Sequence, residues 1–251
     1  MKNFFGNRKN IMSVSTVFVV LLTMIAVTHY YLQYDRVGTA WALTLGYGFL
    51  FIQSVATLIY GRLNKKSNIT LLGAEFVVLS LIMLVYCILN LVTVFSAVYF
   101  HRAGLMLPLV LIPAYADGVL SEKSLLKKWI YVIPAAVVAI AVTVFVCFSQ
   151  ASVVATSNAA HKIYYVVGAL FCIFGLVLSV LNLLKKKNEL FAWGLVAYSF
   201  LGTAMFILKV FEKITLAEKF LSLQNLGAAI MLISVLTAEQ VKVKAAKKKH
   251  R

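Results

Sequence analysis

Apolar runs long enough to cross a hydrocarbon core follow one another from Ile11 to Leu236, with only short polar or basic segments between them. A bilayer core takes about 20 residues of α-helix, and inside it each backbone N–H and C=O must be satisfied by the element that carries it. Only helices and closed barrels meet that condition, and runs that are continuous instead of alternating select helices. Hydrophobic residues make up 62% of the 251 and charged residues 13%, with a mean hydropathy of +0.93, which excludes an ordinary water-soluble domain. The chain reads as an all-α integral membrane protein, a polytopic bundle of about eight transmembrane helices.

The runs lie at about 11–32, 37–60, 129–149, 163–184, 190–211 and 219–238, with a longer and nearly uncharged stretch from 70 to 116. The first run is too long for a signal peptide, whose apolar core spans about 7–15 residues, and Ala26-Val27-Thr28 offers no cleavage site. Positive charge decides whether 70–116 holds one span or two. With two, at 71–92 and 96–116, eighteen Lys and Arg (in 2–9, 62–66, 123–128, 185–187 and 242–251) fall on the side of the N-terminus and six on the other. With one, the division becomes ten against fourteen. The positive-inside rule therefore selects eight spans with both termini in the cytoplasm, in a cell membrane of the bacterial plasma-membrane kind. One membrane domain then covers 1–239 and a basic cytoplasmic tail 240–251. Aromatic residues agree: Tyr30, Tyr31, Trp41, Tyr164 and Tyr165 fall at expected outer ends, and Tyr60, Trp129 and Trp193 at inner ends, where amphipathic rings favour the interface.

The net charge of +16 would suggest nucleic acid in a soluble chain. Here topology accounts for it, and no nucleic-acid partner is expected. The tail from Gln240 to Arg251 is expected to bind anionic lipid headgroups, at about 1 kcal/mol per basic residue near the surface. A cytoplasmic partner protein or a second copy of the chain is the further expectation.

Candidate binding residues come from polar groups stranded in the apolar stretch. His101 and Arg102 lie side by side there, and Glu75 is the other charge. An ionisable residue at bilayer depth is a functional candidate by default, because it costs at least about 2.5 kcal/mol at a helix centre. Two readings of Arg102 follow. Near the outer end of the fourth span it can snorkel to the interface, since helical side chains lean toward the helix N-terminus. Alternatively it belongs to a ligand site on a helix broken by Gly104, Pro108 and Pro113, because interrupted membrane helices often mark binding sites. Glu75, near the inner end of the third span, is not expected to pair with Arg102; it is placed near Arg62, Lys65 and Lys66 at the cytoplasmic interface, with proton or cation handling as the alternative. Lys209 is expected to snorkel. The ligand-binding set is thus His101, Arg102, Gly104, Pro108 and Glu75.

Metal and cofactor chemistry finds little support. His29 and His161 are weak metal candidates on the same side as His101, without any recognised ligand spacing. Cys87, Cys147 and Cys172 are odd in number and sit in apolar runs, so they read as packing residues. No zincin, nucleophile-elbow or P-loop motif occurs, no cofactor is expected, and an enzyme is disfavoured. Asn68-Ile69-Thr70 matches a glycosylation acceptor but falls on the cytoplasmic side. Gly168, Cys172, Gly175 and Ser179 share one face of the sixth span and predict close helix packing. Short loops and a last helix entering the cytoplasm give the layout of many-span sensor domains. The leading expectation is a sensory or regulatory membrane module that binds a small or lipidic ligand and signals through a partner. The alternative is a small-solute carrier, with Arg102 attracting an anion.

Overall fold

The computed structural model describes residues 2–32, 36–92, 102–106, 109–110, 129–151, 156–184 and 189–249. His101, Pro108, Pro113 and most of the expected fourth span lie outside them. The described residues are almost entirely helical: α1 (Lys2–Gly6), α2 (Arg8–Tyr31), α3 (Arg36–Leu63), α4 (Ser67–Leu91), α5 (Trp129–Ala151), α6 (Thr156–Leu184), α7 (Glu189–Val210) and α8 (Ile214–Lys249). Residues 102–106 add a short helical stretch. Six of these helices contain segments long and apolar enough to cross a membrane: Arg8–Tyr31, Val37–Leu63, Ser67–Leu89, Ala159–Leu184, Phe191–Val210 and Ile214–Thr237. Val132–Phe148 of α5 is apolar and shorter. The protein is accordingly membrane-embedded, a bundle of helices.

Local chemistry explains where the helices begin and end. Asn7 caps α2 by accepting from the Lys9 N–H (3.0 Å), satisfying one of the donors a helix start leaves unpaired. Two helices end in the left-handed conformation, at Lys65 (φ 56°) after α3 and at Glu212 (φ 61°) after α7. Around Lys65 the next N–H, of Lys66, reaches back to the Gly61 carbonyl (2.8 Å), and around Glu212 that of Lys213 reaches the Leu208 carbonyl (2.9 Å). This is the Schellman pattern, and it turns each chain back at once into an antiparallel neighbour. Serines and threonines inside the apolar helices bond to their own backbone, as Thr57 to the Gln53 carbonyl (2.9 Å) and Ser179 to that of Gly175 (2.6 Å).

Consecutive helices pack as hairpins, α3 on α4, α5 on α6, α6 on α7 and α7 on α8. The bundle closes through α8, which also packs on α2, α3 and α4 and has the most buried span of the six. The small-residue stripe of α6 serves that packing: a side chain at Gly168 would run into the Phe206 ring of α7, and one at Gly202 of α7 would meet Cys172. Large apolar side chains on the outside, among them Val17, Val20 and Met24 of α2 and Ile133, Val137 and Ile140 of α5, form the lipid-facing surface.

Candidate functional site

Polar side chains collect at one end of the bundle, referred to below as the Arg102 end. His29, in the last turn of α2, meets Ser222 near the start of α8 through its Nδ1 (2.6 Å), and Lys219 donates to the Tyr30 carbonyl (2.8 Å). At the same end lie the last turn of α7, with Lys209, and the first turns of α6, with His161.

Arg102 is 3% exposed, and its guanidinium points into the protein. Nη1 donates to the Val146 carbonyl on α5 (3.2 Å), and Nη2 donates to Nε2 of His161. A guanidinium has only donors, so His161 Nε2 accepts, and the imidazole proton resides on Nδ1. The Arg102 carbonyl in turn accepts the Tyr164 hydroxyl (2.6 Å). One residue thereby ties the 102–106 stretch to α5 and to α6. Gly104 makes the approach to α4 possible, since a Cβ there would lie 2.8 Å from Cγ of Met83. The Arg102 side chain thus finds partners on neighbouring helices.

Lys209 likewise turns inward. It is 4% exposed, and its ammonium stands over the Tyr165 ring at 5.6 Å from the centroid. Glu218, near the start of α8, is close enough for its charge to attract that of Lys209, and Arg102 is close enough to repel it. The last turn of α7 also favours a cation through its helix dipole. Arg102, His161, Tyr164, Tyr165, Lys209 and Glu218 thus form a basic, aromatic-lined cluster contributed by four parts of the chain, in which Arg102, Tyr164 and Lys209 are buried and the other three half-buried. A more exposed ion pair, Lys162 with Glu212 (3.6 Å), ties α6 to the α7–α8 turn nearby.

The sequence-based candidates separate. Arg102 and Gly104 belong to the cluster, whereas Glu75 does not. Glu75 lies eight residues into α4, about 12 Å along the helix at 1.5 Å per residue. It is 7% exposed, and neither carboxylate oxygen has a hydrogen-bond partner. The expected solvation beside Arg62, Lys65 and Lys66 gives way to burial close to Tyr198 of α7. His29 and His161 are held by different partners, and among the described residues no group of three or more His, Cys, Asp or Glu is arranged to hold a metal ion. The sequence marks Tyr164 and Tyr165 only as interface anchors and does not single out Glu218. The two tyrosines had a signal: His161, Tyr164, Tyr165 and Gly168 follow helical spacing and extend the small-residue stripe of α6 to its polar end.

An apolar groove of about 470 Å³ between α1, α2 and α3 is lined by side chains such as Phe5, Phe18 and Phe51. It offers no polar group to orient a ligand, and it is continuous with the lipid-facing surface. Comparison with known protein families, with curated proteins and with solved structures finds no match to this chain.

Proposed function

We propose that this protein is an eight-span receptor of the cell membrane, with both termini in the cytoplasm. In this reading it binds a small anionic ligand at the Arg102 end and passes site occupancy along α8 to a cytoplasmic partner or a second copy. The observation that carries the ligand class is the charge balance of the cluster. Arg102 and Lys209 are both buried there, and Glu218 is the carboxylate that faces Lys209 among the described residues. An anion with planar or tetrahedral oxygens suits the remaining donors of a guanidinium, an ammonium and the Tyr165 hydroxyl.

The eight-span topology draws support from the position of Arg102. It meets the late part of α5 through Val146 and the start of α6 through His161, which sets it at the opposite end of α5 from Trp129. The contact of His29, in the last turn of α2, with Ser222, early in α8, supports a common side for the two termini. The receptor reading draws support from α8, a single helix from Ile214, four residues before Glu218, to Lys249 in the basic tail.

Thermal unfolding of the detergent-purified protein against phosphate, sulfate and small carboxylates tests the ligand class. A ligand at 100 times its Kd stabilises by about 2.7 kcal/mol. The stabilisation is expected in the unaltered protein and should vanish in Arg102→Gln and Lys209→Gln. Folded variants that keep it would remove the cluster from the site. A carrier is the second reading, favoured by one observation: the unpaired carboxyl of Glu75 within a membrane helix suits a coupling cation. Anion flux into proteoliposomes that depends on Arg102 would select the carrier, and binding without flux the receptor.

A further inference from the structure

Glu75 is the only acidic residue between Asp35 and Asp117. It sits well inside a helix of the membrane-spanning part, 7% exposed, and neither of its oxygens receives a hydrogen bond. The buried Ser15 and Ser199 hydroxyls that lack a partner belong to neutral groups, whereas Gln53 donates to the Ala229 carbonyl (3.0 Å) and His29 meets Ser222, which explains them as structural glue. Glu75 has no such role.

Among the described residues, Glu75 makes no ion pair within 4.0 Å. The basic residues Arg62, Lys65 and Lys66 stand at the far side of the α3–α4 turn, about 12 Å away along α4. Tyr198 of α7 lies near it, a ring that packs edge-on to Phe76, the residue after Glu75 (centroids 6.0 Å). An ionised carboxylate left bare at such depth is strongly disfavoured against its neutralised form.

We infer that Glu75 is the centre of a second site, one that holds a single monovalent cation, a proton or an alkali ion, between α4 and α7. Tyr198 is the neighbouring hydroxyl, able to donate to a carboxylate or to accept from a carboxylic acid. The inference does not depend on the anion site, but the two places share their walls. Two turns beyond Glu75, α4 presents Met83 to Gly104, and three turns beyond Tyr198, α7 presents Lys209 to the basic cluster. Loading of the one therefore bears on the helices that frame the other.

Infrared spectroscopy of the purified full-length protein near neutral pH, in sodium chloride and then in choline chloride, reads the state of this carboxyl directly. A carbonyl stretch of a protonated carboxylic acid in both salts, absent from Glu75→Gln, assigns the cation as a proton. The same band appearing only after sodium is replaced by choline assigns it as an alkali ion displaced by a proton. The absence of any Glu75-dependent acid band in either salt overturns the inference, as does a band that persists in Glu75→Gln. Should that variant not fold, Glu75→Asp keeps the acid and moves it by one methylene. The band is then expected to shift, and a band left unmoved also overturns the inference.

Discussion

Arg102 shows how a helical bundle accommodates a guanidinium through protein partners. Two of its five N–H donors go to a carbonyl of α5 and an imidazole of α6, and its own carbonyl takes the Tyr164 hydroxyl. Charge-assisted bonds of this kind are roughly twice as strong as neutral ones, and removing one partner leaves the other buried and unsatisfied. Arg102→Ala is therefore expected to cost about 1–3 kcal/mol of stability. Thermal unfolding in detergent of Arg102→Ala, His161→Ala and the double variant checks it. The double variant should lose less than the sum by about 0.5–3 kcal/mol, because the two residues share one interaction. Strict additivity would mean that the contact contributes nothing. Arg102 and Gly104 were legible in the sequence as anomalies within an apolar stretch. Their partners were not: a main-chain carbonyl at Val146 leaves no trace in residue identity, and His161 stands 59 positions away.

At the scale of elements, short turns do much of the organising. Lys65 closes α3 in the left-handed conformation, a position where an L-residue is disfavoured by roughly 1–2 kcal/mol and glycine is not. Glycine also loses more entropy on folding, by roughly 0.5–1 kcal/mol. Lys65→Gly is accordingly expected to raise stability by up to about 1 kcal/mol, seen as a higher thermal midpoint. A lowered midpoint would count against strain at this turn. The α6–α7 seam illustrates a sequence signal read correctly. Gly168 and Cys172 recur at helical spacing, and such a stripe has few uses besides close packing, here against Phe206 and Gly202. Glu75 illustrates the opposite case. Its distance from the helix end suggested an interface, yet exposure depends on what neighbouring helices cover, and α7 brings Tyr198 to it.

For the whole molecule, the proposed topology makes a prediction that uses none of the site chemistry. With eight spans, the segment between the fourth and fifth lies in the cytoplasm. A cysteine introduced as Leu125→Cys, with Cys147 replaced by serine and the buried Cys87 and Cys172 retained, should react with a membrane-impermeant thiol reagent in inverted vesicles and resist it in intact cells. The reverse pattern would rule out eight spans with both termini inside. The sequence by itself determined that the chain is helical and membrane-embedded, because the need to satisfy every backbone group in hydrocarbon acts on each apolar run separately. It also determined where most helices lie and which ends carry the basic residues. Only the tertiary structure decided that α8 is the central helix, that Lys209 and Arg102 turn inward to one cluster, and that Glu75 is left bare. Those outcomes depend on which faces meet across the bundle. Apolar helices in lipid carry only a weak hydrophobic pattern to specify that, so side-chain packing and a few buried polar contacts settle it.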